Sequence, residues 1–177
     1  MFQSLLQLDQ SLFLFLNHLP HNFIINSFFA LLSGVGKWII WLILAALIFI
    51  WEEKKDKKII LQLIIAVLLT LLIVDVGLKN LIQRPRPELV LKETIFISDQ
   101  SQSPSFPSGH ATIAFAAAYI LSRNHKKWIF GYWLLAILIS FSRIYLGKHY
   151  PSDVLAGAVI GFLIGMLSQR LIKLYQK

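Results

Sequence analysis

Long apolar runs alternate with short polar islands along the chain. Residues 2–18 set Leu5, Leu8, Leu12 and Leu16 at helical spacing, while Gln3, Gln7, Asp9 and Gln10 keep one side wet. This predicts an amphipathic helix lying in a membrane interface, or a short span. Pro20 ends it, residues 22–34 form a second short apolar segment, and Ser33, Gly34 and Gly36 mark a turn. Residues 37–51 are almost continuously apolar and carry Trp38 and Trp51 near their ends, as an interfacial belt requires. The following EEKKDKK, residues 52–58, cannot lie in hydrocarbon and predicts a loop.

A clear span is expected over residues 59–78, ending at Lys79, with Pro85 and Pro87 stopping any helix. Residues 88–106 read as an exposed loop, a plain connector in preference to a lid. A helix is expected over 108–121, whose small residues Ala111, Ala114, Ala116, Ala117 and Ala118 allow close helix approach. Residues 128–146 predict a further span, and Pro151 opens the last helix, where Gly157, Gly161 and Gly165 form a packing ladder. The fold expected is all-α: a polytopic transmembrane bundle of about six helices including a short or interfacial N-terminal one. It forms a single membrane-embedded domain over 1–177, with residues 1–36 as N-terminal short helices and 37–177 as the core that carries the site.

Composition supports the bilayer. Hydrophobic residues make up 56% of the chain, charged residues only 15%, and the mean hydropathy is +0.66. An ordinary soluble domain is excluded. The net charge of +8 is scattered over span ends rather than gathered on a polar face, which favours an anionic membrane and substrate over nucleic acid. Cysteine is absent, excluding disulfides and cysteine-ligated metals. No removable signal peptide is expected, because residues 1–36 contain no Lys or Arg.

The chemistry lies in three islands: Lys79, six residues, then Arg86-Pro87; Pro107-Ser108-Gly109-His110; and Ser142-Arg143, five residues, His149, three residues, Asp153. Each member alone has a bland reading, since an isolated histidine near a span end is usually structural and Arg-Pro pairs often just end helices. Together, three fixed cations neutralise a dianion, one imidazole attacks phosphorus and the other protonates a leaving oxygen. Ser108 is a good N-cap, and the free amides that follow it favour an anion. Gly109 lets the backbone approach phosphate.

The three islands resemble the signature motifs of the type 2 phosphatidic acid phosphatase family of membrane lipid phosphatases, which is related to vanadate-dependent haloperoxidases. The resemblance runs from Lys79 to Asp153, and residues 1–58 carry no signature. It implies that Lys79, Arg86, Ser108, Gly109 and Arg143 bind phosphate. It further implies that His149 is the nucleophile and forms a phosphohistidine, that Asp153 orients it, and that His110 protonates the leaving alkoxide and then activates water. No cofactor and no metal are expected, because protein cations supply the charge. Arg84, in the repeated Arg-Pro pair, is expected as supporting charge. Asp75, four residues before Lys79, either holds that lysine or is a solvated carboxylate. His18, His21 and His125 are expected to be structural.

The activity expected is hydrolysis of a lipid phosphate monoester or pyrophosphate: phosphatidylglycerophosphate, phosphatidic acid, undecaprenyl pyrophosphate or lipid A 1-phosphate. Two alternatives compete: a haloperoxidase-like enzyme, and a lipid-phosphate binder or transporter without catalysis. The spans argue against the first, and the intact His149, His110 and Asp153 against the second. Span parity puts the islands on one side of the membrane. The opposite side receives Lys54, Lys55, Lys57, Lys58, Arg123, Lys126, Lys127, Arg170, Lys173 and Lys177, ten of the 17 basic residues. The positive-inside rule then places the site outside the cytoplasm, in what the resemblance implies is a bacterial plasma membrane.

Overall fold

The computed structural model describes residues 2–36, 57–97 and 102–175, with isolated positions between 41 and 47. The span expected over 37–51 and most of the loop expected over 52–58 therefore lie outside the described residues. The described residues are helical and contain no strand. Among the described residues, six helices carry the fold. Helix α1 is Phe2–Asn17 and α2 is Phe23–Val35. Helix α3 runs as Lys57–Thr70, a π-helical stretch Leu71–Leu78 and a last turn Lys79–Ile82. Then come α4, Gly109–Asn124, α5, Ile129–Tyr145, and α6, Pro151–Tyr175. Three stretches, Lys58–Val90, Lys126–Tyr145 and Pro151–Leu174, are long and apolar enough to cross a bilayer. Exposed side chains such as Leu68, Leu72, Phe130, Ile137, Leu155 and Val159 form their outer surface, which would be costly in water over so many helical turns and suits lipid.

Helix α4 is the central post. Its Ala114, Ala116, Ala117 and Ala118 are buried together with Ile120, Leu121, Ile139 and Ile164 in one core. Against it lies the glycine ladder of α6. A Cβ at Gly157 would come within 2.5 Å of the Ser108 carbonyl oxygen, one at Gly161 within 2.2 Å of that of Thr112, and one at Gly165 within 2.8 Å of that of Ala116. Only hydrogen at these positions lets the two backbones touch. Helices α3 and α4 run antiparallel: Asn124, at the end of α4, reaches Gln62 in the early part of α3 at 3.3 Å. The end of α3, the start of α4, the end of α5 and the start of α6 consequently share one end of the bundle, and the three islands with them.

The N-terminal helices dock on that same end. Asp9, Phe13 and Asn17 recur every fourth residue of α1 and face inward. Phe13 is fully buried with Ala111, Ile144, Tyr150 and Val154. The Asn17 amide donates to the carbonyls of Ile95 and Tyr145, each at 2.9 Å, and its oxygen accepts from the Ile95 amide at 2.8 Å. The expectation that Asp9 keeps a wet face is corrected: it accepts hydrogen bonds from Ser152 and Arg84. His18 and His21 do structural work. His18 pairs with the Glu93 carbonyl at 2.7 Å. His21 pairs with the Asn17 carbonyl at 2.7 Å and stacks on Tyr145.

Candidate active site

The first island begins at Lys79, directly after the π-helical stretch of α3. The wide turn of that stretch is closed by the Lys79 amide on the Val74 carbonyl, five residues back. Such turns insert one extra residue and re-aim the side chains after them. Asp75 and Lys79 meet here, with Nζ 2.6 Å from Oδ1, so the carboxylate holds the lysine. Gln83 then takes a left-handed conformation and ends the helix, and the Arg84-Pro85-Arg86-Pro87 turn follows. The sequence reading made residues 88–106 a plain connector. Instead, Ser103 binds Arg86 through its carbonyl, which accepts from Nε at 2.7 Å, and its hydroxyl, which accepts from Nη2 at 2.9 Å. The Ser105 amide donates to the Arg84 carbonyl at 2.8 Å. This loop therefore fastens the Arg-Pro turn.

The second island forms the start of α4. Ser108 caps the helix and its hydroxyl faces the Ala111 amide. Gly109 is buried, and a Cβ there would lie 3.5 Å from Asp75 Oδ1 and 3.9 Å from Lys79 Nζ. The first and second islands therefore touch. His110 is the second residue of α4 and is half-buried.

The third island spans the turn between α5 and α6. Gly147 has φ +78, and a Cβ there would come within 2.8 Å of the Ile95 carbonyl oxygen, so this turn needs glycine twice over. Arg86 Nη1 donates to the Lys148 carbonyl at 3.1 Å and lies 3.5 Å from His149 Nε2. The Ser108 amide donates to the Asp153 carbonyl at 3.0 Å, which ties the second island to the third. Arg143, buried in the last turn of α5, donates from Nη1 to the hydroxyl of Ser33 on α2.

His149 is 2% exposed. Burial pushes its pKa well below the ordinary histidine value, and the charges of Arg86, Arg143 and Lys79 push in the same direction. Burial and all three cations thus disfavour the imidazolium, and Arg86 Nη1 lies against Nε2. Its Nδ1 lies 3.6 Å from Asp153 Oδ2. That exceeds hydrogen-bonding distance, and catalytic contacts of this kind commonly tighten only around substrate. Asp153 is itself firmly held. Oδ2 accepts from the Tyr150 amide at 2.9 Å, and Oδ1 accepts from Arg84 Nη1 at 2.6 Å.

All ten candidate residues thus lie at one end of the bundle. Asp75 pairs with Lys79, and Arg84 with Asp153. Sequence reasoning missed Asp9, Ser33, Ser103 and Ser152, which hold Arg84, Arg143 and Arg86. The wet-looking Asp9 on an otherwise apolar helix was the available signal; a lone serine in a loop gives none.

The family model of the PAP2 superfamily matches residues 59–176. The chain belongs to the PAP2 superfamily. The motif resemblance is therefore confirmed, and the protein is an integral membrane enzyme of a lipid phosphatase family. It is 32% identical over 148 residues to an undecaprenyl-diphosphatase of Sulfolobus acidocaldarius, covering 81% of this chain and 69% of that one. It is 30% identical over 173 residues to a lipid A 4'-phosphatase of Porphyromonas gingivalis, covering 92% and 72%. The crystal structure of Aquifex aeolicus LpxE superposes with a TM-score of 0.74 at 32% identity, over 90% of this chain and 93% of that one. A PAP2-type phosphatidylglycerolphosphate phosphatase of Bacillus subtilis gives the same score at 24% identity, over 96% and 87%, and shares the fold.

Proposed function

We propose that this PAP2 enzyme hydrolyses a lipid phosphate monoester or pyrophosphate through a phosphohistidine on His149, without a metal, at a site facing away from the cytoplasm. One observation carries the reading: a buried His149 lies under the combined charge of Arg86, Arg143 and Lys79, which disfavours its charged form, with the Asp153 carboxylate 3.6 Å from its Nδ1. The phosphate dianion binds to the three cations and to the amides at the start of α4. Nε2 of His149 attacks phosphorus, a P–N bond forms and the P–O bond to the lipid breaks. His110 gives its proton to the departing oxygen. Asp153 accepts from Nδ1–H and stabilises the imidazolium character that develops. Water then attacks the phosphohistidine, His110 takes its proton, the P–N bond breaks and phosphate leaves. The pentacoordinate state gains from donors already in place. The lipids considered are phosphatidylglycerophosphate, phosphatidic acid, undecaprenyl pyrophosphate and lipid A phosphate. The named activities of the relatives support this class.

The test uses purified protein in detergent micelles, that panel of lipids and p-nitrophenyl phosphate. General acid help is worth ~10²–10⁴-fold, and an aryl leaving group needs less of it. His110→Ala therefore loses far more activity on the lipid than on the aryl ester. His149→Ala fails on both and traps no protein-bound phosphate after acid-free denaturation. Phosphoenzyme in His149→Ala, or equal impairment of His110→Ala on both substrates, refutes the assignment.

A further inference from the structure

Helix α1 lies outside the residues matched by the family model, yet it reaches the site through a carboxylate. Asp9 Oδ2 accepts from Arg84 Nη2 at 2.7 Å and from the Ser152 hydroxyl at 2.5 Å, and Oδ1 accepts from the Ser152 amide at 2.9 Å. The Ser152 amide is the first N–H of α6, since Pro151 has none, and it sits in the first turn, where amides lack a carbonyl one turn back. Asp9 thus caps α6 from another helix, where the helix dipole favours its charge. Arg84 is shared. While Nη2 holds Asp9, Nη1 donates to Asp153 Oδ1 at 2.6 Å and to the Ser152 hydroxyl at 2.7 Å. Its guanidinium also lies over the Tyr150 ring, 3.9 Å from the centroid. Asp9 and Arg84 are both mostly shielded, at 12% and 18% side-chain exposure, so this pair is not the solvent-screened kind that contributes little. The chain of contacts runs Asp9, Arg84, Asp153, His149.

We propose that Asp9 is a positioning residue for the hydrolysis. Its carboxylate fixes Arg84 and the first turn of α6, and so sets where the Asp153 carboxylate stands against His149. The proposal rests on the reading of His149 as nucleophile and Asp153 as its partner. The 3.6 Å gap between His149 Nδ1 and Asp153 Oδ2 makes the alignment sensitive. Without the Asp9 charge, Arg84 has Asp153 as its remaining carboxylate partner and is free to turn with it. Substrate binding is barely affected, because Arg84 is committed to these carboxylates while Lys79, Arg86 and Arg143 face the phosphate.

The test compares the full-length parent, Asp9→Asn, Asp153→Asn and the double variant on whichever panel lipid the parent hydrolyses fastest. A misplacement of a fraction of an ångström to 1 Å costs roughly 10- to 100-fold. Asp9→Asn is expected to lower kcat by that factor with KM within about twofold of the parent. The double variant is expected to lose no more than Asp153→Asn alone, since both changes act on one interaction. A merely structural role would instead multiply the two losses. Arg84→Lys keeps the charge balance but replaces the planar fork by a point charge, and it serves where Asp9→Asn does not fold. It too should lower kcat at constant KM. Parent-like kcat in Asp9→Asn, multiplied losses in the double variant, or parent-like kcat in Arg84→Lys overturns the proposal. Failure of the underlying reading shows separately, as phosphoenzyme formed by His149→Ala.

Discussion

Gly161 offers the sharpest perturbation of the link between fold and site. It lies in α6, two turns beyond Asp153, where the helix meets α4 backbone to backbone. A Cβ there would stand 2.2 Å from the Thr112 carbonyl oxygen, 2.9 Å from its carbon and 3.0 Å from its Cα. Carbon and carbonyl oxygen tolerate about 3.3 Å, so Gly161→Ala must part the helices by roughly 1 Å. Backbone cannot swing aside as a side chain can. Overpacking of this kind costs about 1–3 kcal/mol. The same interface carries the Ser108 amide to Asp153 carbonyl bond at 3.0 Å, which joins the proposed phosphate cradle to the candidate nucleophile's partner. Gly161 is eight residues from Asp153, about 12 Å along the helix, so part of the displacement reaches the site.

A full 1 Å error costs ~10²-fold, and the attenuated shift is expected to lower kcat/KM by about 10-fold or more. Thermal unfolding in micelles and phosphate release from the lipid panel read the two effects. Gly131→Ala on α5 is the control, because nothing lies within 4 Å of a Cβ there. It should stay within about twofold of the parent in turnover. A Gly161→Ala protein with parent-like melting and turnover would show that the backbone contact does not set the site.

Three further outcomes are expected. The folded-state pKa of His149 is depressed below 6.5, so the stability tied to this group is fully present above that value and is lost as pH falls. His149→Gln should flatten the fall in unfolding free energy as pH drops below 6.5, and an unchanged slope in a denaturant titration would contradict a buried imidazole whose charged form is disfavoured. Activity should survive excess EDTA, and vanadate, which adopts five-coordinate geometry, should inhibit; loss on chelation with restoration by a divalent ion would sink the metal-free mechanism. For sidedness, the chain has no native cysteine, so Glu93→Cys should react with an impermeant thiol reagent on intact cells and Lys126→Cys should not, and the reverse pattern would move the site to the cytoplasm.

How much of this was legible depended on range in sequence. The helices after residue 57 followed from apolar run length and proline positions, and the packing face of α6 from glycines four residues apart, though not that α4 is what it packs on. The Asp75–Lys79 pair was readable because residues four apart share a helix face, and the His149–Asp153 placement because His149 stands in the turn just before the helix that Asp153 opens. The π-helical stretch before Lys79 was not readable, since a single wide turn changes no hydrophobic period. Asp9 was misread for a related reason. A carboxylate on an amphipathic helix usually faces water, and its partner Ser152 lies 143 positions away. The Arg86–Ser103 contact was hidden because loop serines carry no pattern.

The two arginines of the Arg-Pro repeat show why the site is built from helix ends. Arg86 gives one N–H each to the Ser103 carbonyl, the Ser103 hydroxyl and the Lys148 carbonyl. A guanidinium has five donors, so two remain, one on each terminal nitrogen. Nη1 is already 3.5 Å from His149 Nε2. None of the three acceptors carries a formal charge, so these bonds orient the guanidinium without neutralising it, and in the proposed reaction it needs little reorganisation when charge develops on phosphorus. Arg84 is oriented equally well but by Asp9 and Asp153. Those carboxylates balance its charge, which suits the proposed role in geometry rather than in phosphate binding. In the proposed mechanism the charge of the acceptors is thus what separates a phosphate-binding arginine from a positioning one, and adjacent Arg-Pro pairs can divide the two tasks.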